Sequence, residues 1–410
     1  MSNEKEKEKD KKTKGRFLSP SFRKGAVKEK NEEEDNGEFK IDLIAAENDE
    51  DEDESKSPSP SKHRKKNKKD DKEKLNLVPV KDDKDKDKKD QHRGSVTRTI
   101  PDDCKVNAIP EGRVKKVGSF SQAGKGEDGF TKVNQDSFLV LPNQYNFKDF
   151  NIFSVLDGHG SNGHLVSRFV TKYFTSFFKN NKKMNQYIND EETICYRLKK
   201  NEYDILKRAF RHAERDVSKN ADIDSNFSGT TCVMVFQIGE KIICANVGDS
   251  RAIIVKENNN GQLDIKPLSI DQKPDDPEES KRIIENGGEI SQFEEDGEKS
   301  GPFRVWKKGE AYPGIAMSRS IGDLIASTLG VIPEPKFIED KVDKDTKFIV
   351  IASDGVWEFL DNKAVTNIVM PFYNKNDADG ACKALIKEST EWWNKEDIVV
   401  DDITVIVVFF

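Results

Sequence analysis

Aspartate residues stand at the ends of strongly apolar runs at four places in this sequence. Asp157 follows FSVL, Asp249 follows CANVG and Asp354 follows FIVIAS, while Asp401 precedes DITVIVV. An unpaired charge at the edge of a core is energetically expensive, so each acid needs a partner. If the strand-like runs share a pair of sheets, their ends can converge at one edge and bring the four carboxylates together.

Clustered carboxylates repel one another unless a cation lies among them. Oxygen ligands with no nearby set of Cys or His residues favour hard ions such as Mg²⁺ or Mn²⁺. A pair of such ions can share a water, lower the pKa of that water and hold it against phosphorus. One of these acids alone is more simply a strand-end residue that bonds backbone N–H groups, but four together favour a metal site.

His159 lies between two glycines in the stretch DGHG. Gly158 and Gly160 allow a tight backbone turn and leave the Gly158 carbonyl free to reach an ion. No apolar stripe surrounds this histidine, in contrast to a histidine of the core. Because an imidazole titrates near neutral pH, His159 is a candidate general acid toward a leaving oxygen.

Short β-branched and aromatic runs, separated by Gly- or Asn-containing turns, predict antiparallel strands. These runs are 137–141, 151–156, 232–238, 241–247, 251–256, 348–352 and 403–410. Apolar residues at helical spacing predict a helix at 164–179, and we place further helices at 277–286, 362–372 and 378–394. Hairpin-rich sheets with helices over their outer faces predict a layered α+β domain.

The helix predicted at 277–286 carries its own start and stop signals. Asp276 is the expected N-cap, Pro277 occupies the first helical position, and Glu279 completes a capping box. Gly287 and the glycine after it end the helix.

The N-terminal part of the chain differs in composition from the rest. The chain is 35% charged and 34% hydrophobic, and Lys, Glu and Asp dominate its beginning. Such a segment buries too little apolar surface to offset its chain entropy, so we predict a disordered charged tail over 1–105 and a folded domain over 114–410. The basic run KHRKKNKK at 62–69 could be a nuclear import signal or a phosphate-binding patch, although a solvated stretch of tail is the simpler interpretation.

Five dispersed cysteines without CxxC spacing indicate reduced thiols rather than a disulfide framework or a zinc ribbon. No window approaches the roughly 18 apolar residues that a membrane span needs, so no membrane association is expected. We therefore expect a cytoplasmic or nuclear protein, with a monomer as the default. A nucleic-acid binder is the least favoured class, because the folded part is acidic.

Nine short motifs follow one another between Gly118 and Phe410. They are NQDSF (134–138), DGHGSNG (157–163), SGTT (228–231), ANVGDSRAI (245–253), DQKPDDPEESKRIIENGGEI (271–290), RVW (304–306), YPGIAMSRSIGD (312–323), ASDGVWEFL (352–360) and DDITVIVV (401–408). Because these nine motifs occur in this order and at this spacing, the chain resembles a metal-dependent protein phosphatase of type 2C. The resemblance implies an α-β-β-α layered sandwich, two packed antiparallel β-sheets flanked by helices, with a flap-like segment at about 271–310.

The resemblance also implies a hydrolase that dephosphorylates phosphoserine and phosphothreonine in phosphoprotein substrates. Its cofactors would be two Mg²⁺ or Mn²⁺ ions, with a weaker third ion in some members. By resemblance, Asp157 bridges the two ions, Gly158 offers its carbonyl to one of them, and Asp354 and Asp401 hold the other. The water between the ions would attack phosphorus.

Two further residues match family roles. His159 matches the proposed general acid of the family. Asp249 matches an acid that supports the metal centre.

This chain departs from the family pattern beside the first motif. Gln135 replaces the usual Glu before the retained Asp136, which removes one anionic ligand and predicts weaker occupancy of the second ion. Thr131 stands where many members carry an Arg that grips the substrate phosphate, and Lys132 is a candidate substitute that lacks the bidentate fork. Asp402, where Asn is common, is a mild change. These departures keep open an alternative, a pseudophosphatase scaffold with the same fold and weak or no catalysis.

Overall fold

The computed structural model describes residues 112–180, 191–295 and 297–410. The tail predicted over 1–105, including the basic run at 62–69, lies outside the described residues. No helix within the described ranges is both long and apolar enough to cross a membrane.

Along the described chain, runs of several strands are separated by helices. The strands are β1 (Lys116–Gln122), β2 (Ser137–Leu141), β3 (Phe150–Leu156), β4 (Gly158–His159), β5 (Gly229–Thr230), β6 (Cys232–Ile238), β7 (Lys241–Val247), β8 (Arg251–Glu257), β9 (Leu263–Pro267), β10 (Gly288–Glu295), β11 (Glu298–Lys307), β12 (Pro313–Ile315), β13 (Ile321–Gly322), β14 (Lys336–Lys341), β15 (Thr346–Ala352) and β16 (Ile403–Phe409). The helices are α1 (Gly163–Asn180), α2 (Glu191–Ser218), α3 (Pro277–Glu285), α4 (Leu324–Ser327), α5 (Asp354–Trp357), α6 (Asn362–Tyr373) and α7 (Ala378–Glu396), and Gln144–Asn146 form a 3₁₀ turn.

Two five-stranded antiparallel sheets form the centre of the domain. One has the order β14-β7-β6-β3-β2 and the other has the order β1-β16-β15-β8-β9. Side chains from both sheets, such as Phe153, Val235, Ile254 and Ile351, pack in one shared cluster and are fully buried. The predicted pair of packed antiparallel sheets is therefore confirmed.

Helices cover the outer face of each sheet. Phe174 of α1 and Phe210 of α2 have ring centroids 4.9 Å apart and belong to the same apolar cluster as Phe236 of β6. On the other sheet, Leu385 of α7 packs in a cluster with Val405 of β16. This arrangement confirms the α-β-β-α layers, because each sheet buries one face against its partner and the other against helices.

The seven strands and four helices predicted from the sequence are all present, with shifts of at most two residues at their ends. Helix α2 was not predicted, although its buried residues Leu206, Phe210, Ala213 and Val217 follow helical spacing. The helix is interrupted at 200–203 by non-helical backbone, which divides the pattern.

One local prediction was wrong. Asp276 does cap α3, accepting from the backbone N–H groups of Glu278 and Glu279, and Pro277 follows it. However, Glu279 makes no capping box, because its buried carboxylate binds Arg282 and Arg319 instead. Charge-assisted pairing with two guanidinium groups is stronger than a bond to one backbone N–H. The contact with Arg319 joins α3 to the segment that follows the small sheet β10-β11-β12. Helix α3 and strands β10 and β11 lie within 271–310, the segment that the resemblance implies to be flap-like.

Candidate active site

Antiparallel pairing brings the predicted acids to one edge of the two sheets. The end of β15 lies beside the start of β16, with Ala352 opposite Val405, so Asp354 and Asp401 leave the sheet at the same side. In the other sheet Leu156 is opposite Ser137, which places Asp157 and Asp136 side by side. The sequence-based prediction that strand ends deliver these acids to one place agrees with this register.

The acids influence one another's ionisation. Burial, followed by the charges of Asp354 and Asp136, raises the pKa of Asp157 well above its usual range. Burial and the charges of Asp401 and Asp249 raise the pKa of Asp354 to about 7. Burial and the charge of a neighbouring carboxylate likewise raise the pKa of Asp136. The carboxylates thus form one repelling cluster.

Three oxygens of this cluster are buried without a hydrogen-bond partner in the described part of the chain. They are Oδ1 of Asp136, Oδ1 of Asp249 and Oδ1 of Asp354. Buried polar atoms are normally satisfied, and an oxygen among other carboxylates is best satisfied by a cation. Across 112–180, 191–295 and 297–410, no three acidic, His or Cys side chains already stand as a ligand set. The fit to a hard divalent ion therefore rests on the unpartnered oxygens and their mutual repulsion.

Two lysines contact the rim of the cluster. Lys132 Nζ lies 2.9 Å from Oδ1 of Asp401, and Lys273 Nζ lies 2.6 Å from Oδ2 of Asp249. Burial alone would lower the pKa of each lysine, but the adjacent aspartates raise both values. Lys132, a candidate site residue from the sequence, thus lies at the cluster. The sequence assigned no role to Lys273, which lies within the motif at 271–290.

Thr131 and Gln135 occupy positions beside the cluster. Thr131 is exposed and its backbone bridges that of Lys125. The Gln135 side-chain amide donates a 2.7 Å hydrogen bond to the carbonyl of Gly160, so its Nε2 holds the turn that follows His159. A glutamate could not donate that bond.

Asp402 organises the backbone under the cluster. Its Oδ1 accepts from the Gly124 N–H at 2.6 Å, and its Oδ2 accepts from the Gln135 N–H at 2.9 Å. Asp402 is buried, and it is also a main source of the raised pKa of Asp136. Asp402 therefore places a buried carboxyl group beside the site.

Gly158 cannot be replaced without moving the backbone. A Cβ atom at this position would lie 2.4 Å from the carbonyl oxygens of both Gln135 and Gly163. The absence of a side chain at Gly158 therefore lets the backbone at 135, 158 and 163 meet next to Asp157.

His159 has a partner that the sequence did not reveal. Its Nε2 lies 2.6 Å from Oδ2 of Asp323, which follows β13. Burial alone would lower the pKa of His159, but Asp323, assisted by Asp249 and Asp354, raises it. Asp323 ends the motif YPGIAMSRSIGD, and only the fold shows that this motif reaches His159.

Comparison with known proteins places this architecture in a family. The sequence model described as protein phosphatase 2C matches residues 123–398. Probable protein phosphatase 2C 35 of Arabidopsis thaliana is 31% identical over 304 residues, covering 70% of this chain and 82% of that protein. Probable protein phosphatase 2C 72 of the same plant is 31% identical over 281 residues, covering 68% and 82%.

A solved structure agrees with the fold. The crystal structure of serine-threonine phosphatase 2C from Toxoplasma gondii superimposes with a TM-score of 0.58, covering 72% of this chain and 94% of that chain at 20% identity. At this identity the likeness concerns the fold alone, and the sequence matches carry the assignment. The chain belongs to the protein phosphatase 2C family.

Proposed function

We propose that this protein is a Mg²⁺- or Mn²⁺-dependent phosphatase that hydrolyses phosphoserine and phosphothreonine in phosphoprotein substrates. The observation that carries the proposal is the cluster of buried aspartates with raised pKa values and unpartnered oxygens, next to a partly buried histidine. Such perturbed groups are costly for stability and collect at functional sites.

In this proposal the ions are held mainly by Asp157, the Gly158 carbonyl, Asp354 and Asp401. Three further residues support the ions: Asp136, Asp249 and Gln135. Asp249 would do so by binding a weaker third ion. When bound, the two ions lower the pKa of a shared water and neutralise charge on the phosphate.

The basic side chains near the cluster face a substrate that carries negative charge. Lys132 Nζ lies 2.9 Å from Oδ1 of Asp401, a proposed ligand of the ions, so its ammonium would also attract a phosphate bound at the cluster. A lysine acts as a point charge rather than a bidentate clamp, so we expect weaker phosphate binding than an arginine would provide. Exposed Thr131 contributes no charge.

His159 is the proposed proton donor to the leaving seryl or threonyl oxygen. An alkoxide is a poor leaving group, so protonation as the P–O bond breaks contributes about 10²–10⁴-fold. Asp157 precedes His159 by two residues, which places the donor next to the centre that binds the phosphate.

The pseudophosphatase alternative is favoured by one observation. The Gln135 amide is oriented by its bond to the Gly160 carbonyl, and a neutral amide attracts a cation less than the family's usual glutamate. A binding module with this fold would keep the cluster but show no turnover.

Hydrolysis of a phosphothreonine peptide by the full chain tests the proposal. We expect phosphate release with Mn²⁺, loss of release with EDTA, and loss in the Asp354→Ala variant. Asp361→Asn is a matched control, because Asp361 caps α6 through a 2.7 Å bond and asparagine caps equally well. No metal-dependent release by the folded wild type would contradict the enzyme and favour the pseudophosphatase.

A further inference from the structure

The contact between His159 and Asp323 joins chain segments that are 164 residues apart. The Asp323 side chain is 7% exposed and that of His159 is 26% exposed, so both groups are largely removed from water. At 2.6 Å this is a short, charge-assisted hydrogen bond between partners that solvent screens little. Such a bond restrains the rotation of the imidazole ring.

The backbone at Asp323 is held in a costly conformation. Its φ of 49° and ψ of 49° lie in the left-handed region, which a residue other than glycine seldom adopts. The surroundings enforce this conformation: the Asp323 N–H donates to the Ser228 carbonyl at 3.0 Å, and the Asp323 carbonyl accepts from the Ser327 N–H at 2.9 Å. Strain of this kind persists where the structure over-determines it, and it collects at functional sites.

Gly229 leaves the space in which Asp323 and His159 make contact. A Cβ atom at Gly229, in the motif SGTT, would lie 2.0 Å from Oδ2 of Asp323 and 2.9 Å from Nε2 of His159. Gly229 also pairs with His159 across β4 and β5. The glycine therefore lets the carboxylate and the imidazole meet directly over the strand.

The second imidazole nitrogen, Nδ1, is a candidate contact for the substrate. Nδ1 of His159 is buried and has no hydrogen-bond partner in the described part of the chain. Because Nε2 contacts the Asp323 carboxylate, Nδ1 is the ring nitrogen that remains for a contact with the substrate. An unpartnered buried nitrogen is costly unless a bound group uses it.

We propose that Asp323 is a positioning residue, which holds the His159 ring through Nε2 so that Nδ1 donates the proton to the leaving oxygen of the substrate. This inference rests on the proposed phosphatase function and specifies the donor atom. A water oxygen forms the new bond to phosphorus as the bond from phosphorus to the seryl or threonyl oxygen breaks. The electron pair of the broken bond stays on the seryl or threonyl oxygen, which takes the proton from Nδ1. His159 is left neutral with its proton on Nε2, Asp323 stays a carboxylate, and water restores the Nδ1 proton.

Substrates with different leaving groups distinguish positioning from a general structural role. With Mn²⁺, we expect Asp323→Asn to lower kcat for a phosphothreonine peptide about 10–100-fold at unchanged KM, as supporting residues of a catalytic group typically do. For p-nitrophenyl phosphate, whose phenolate leaves without a proton, we expect a change of less than about threefold. Equal losses on both substrates, or no loss on the peptide, would overturn the proposal.

Three more variants test whether Asp323 acts through His159. If Asp323 acts through His159, the double variant His159→Ala/Asp323→Asn should be no slower on the peptide than His159→Ala alone. A further loss in the double variant would contradict the proposal. Asp361→Asn makes the same substitution at another helix N-cap and should leave both substrates unchanged.

A measurement on the wild type tests which imidazole nitrogen bonds Asp323, even if the Asp323→Asn variant does not fold. In ¹⁵N-histidine NMR of the full chain with Mg²⁺, at a pH where His159 is neutral, we expect the remaining proton on Nε2. A proton on Nδ1 would overturn the assignment. Failure of the phosphatase function itself would appear separately, as a wild type without metal-dependent turnover of either substrate.

Discussion

Glu279 and Asp354 both lie in the first turn of a helix and both carry buried carboxylate oxygens, yet their surroundings are opposite. Glu279 is 1% exposed and contacts Arg319 at 2.7 Å, Arg282 at 2.7 Å and Lys336 at 3.2 Å. Burial alone would raise the pKa of Glu279, but the two arginines lower it well below its usual range. Its charge is fully compensated by the protein.

Asp354 has the opposite balance. Its strongest influences are burial and the charges of Asp401 and Asp249, which raise its pKa, while Asp157 and Lys273 only partly offset them. One of its oxygens has no hydrogen-bond partner in the described part of the chain. A buried acid paired with cations of the protein thus has a structural role, whereas a buried acid among other acids is a candidate ligand for a cation from solution.

The largest expected effect comes from Asp354→Asn. We expect turnover of a phosphothreonine peptide with Mn²⁺ to fall by about 10³-fold or more, as when a catalytic metal's charge stabilisation is lost. In EDTA the melting temperature should stay the same or rise, because the variant removes a repelling charge. A large fall in melting temperature would mean that Asp354 is structural, like Glu279.

Glu279→Gln should show the converse pattern. Removing one partner from a buried ion cluster leaves Arg319 and Arg282 uncompensated, so we expect unfolding in urea to be easier by about 3 kcal/mol. Glu278→Gln is the matched control, since Glu278 contacts the same Lys336 at 3.3 Å but is 84% exposed. The control should change stability by less than about 0.5 kcal/mol. Equal effects at both positions would contradict the comparison.

The dependence of stability on pH should differ between wild type and Asp354→Asn in EDTA. Between the ordinary value of 3.8 and about 7, only the folded state holds the Asp354 proton, so wild-type stability falls as pH rises through that window. The variant lacks this loss, and its melting temperature relative to wild type should increase from pH 4 to pH 7. A difference that is constant with pH would show that the Asp354 carboxyl has an ordinary pKa.

The smallest effect is expected for Gln135→Glu. A carboxylate adds negative charge beside the cluster but gives up the donated bond to Gly160. We expect the Mn²⁺ concentration for half-maximal rate to fall severalfold, equivalent to about 1 kcal/mol. An unchanged midpoint would show that Gln135 does not influence the second ion.

Much of this fold could be predicted from sequence because its signals are local. Strands β2, β3, β6, β7 and β15 are apolar runs bounded by turns, and the position of Asp354 follows directly from the strand that precedes it. The α3 cap at Asp276 is equally local. Such features depend on residues within a few positions of one another.

The contacts that were not predicted depend on the folded chain. Asp323 meets His159 across 164 residues, and Lys273 meets Asp249 across 24. The capping box at Glu279 failed because Arg319, 40 residues away, competes for its carboxylate. Long-range pairing of charges is decided by which loops the sheets bring together, and no sequence-local pattern encodes it.

We propose that the aspartate cluster binds divalent ions through Asp354 and its neighbours. Calorimetric titration of Mn²⁺ into the metal-stripped full chain tests it without relying on catalysis. We predict that the wild type binds two ions, that Asp354→Asn loses at least one of them, and that Asp361→Asn binds like the wild type. No binding by the wild type, or identical binding by the wild type and Asp354→Asn, would contradict the account.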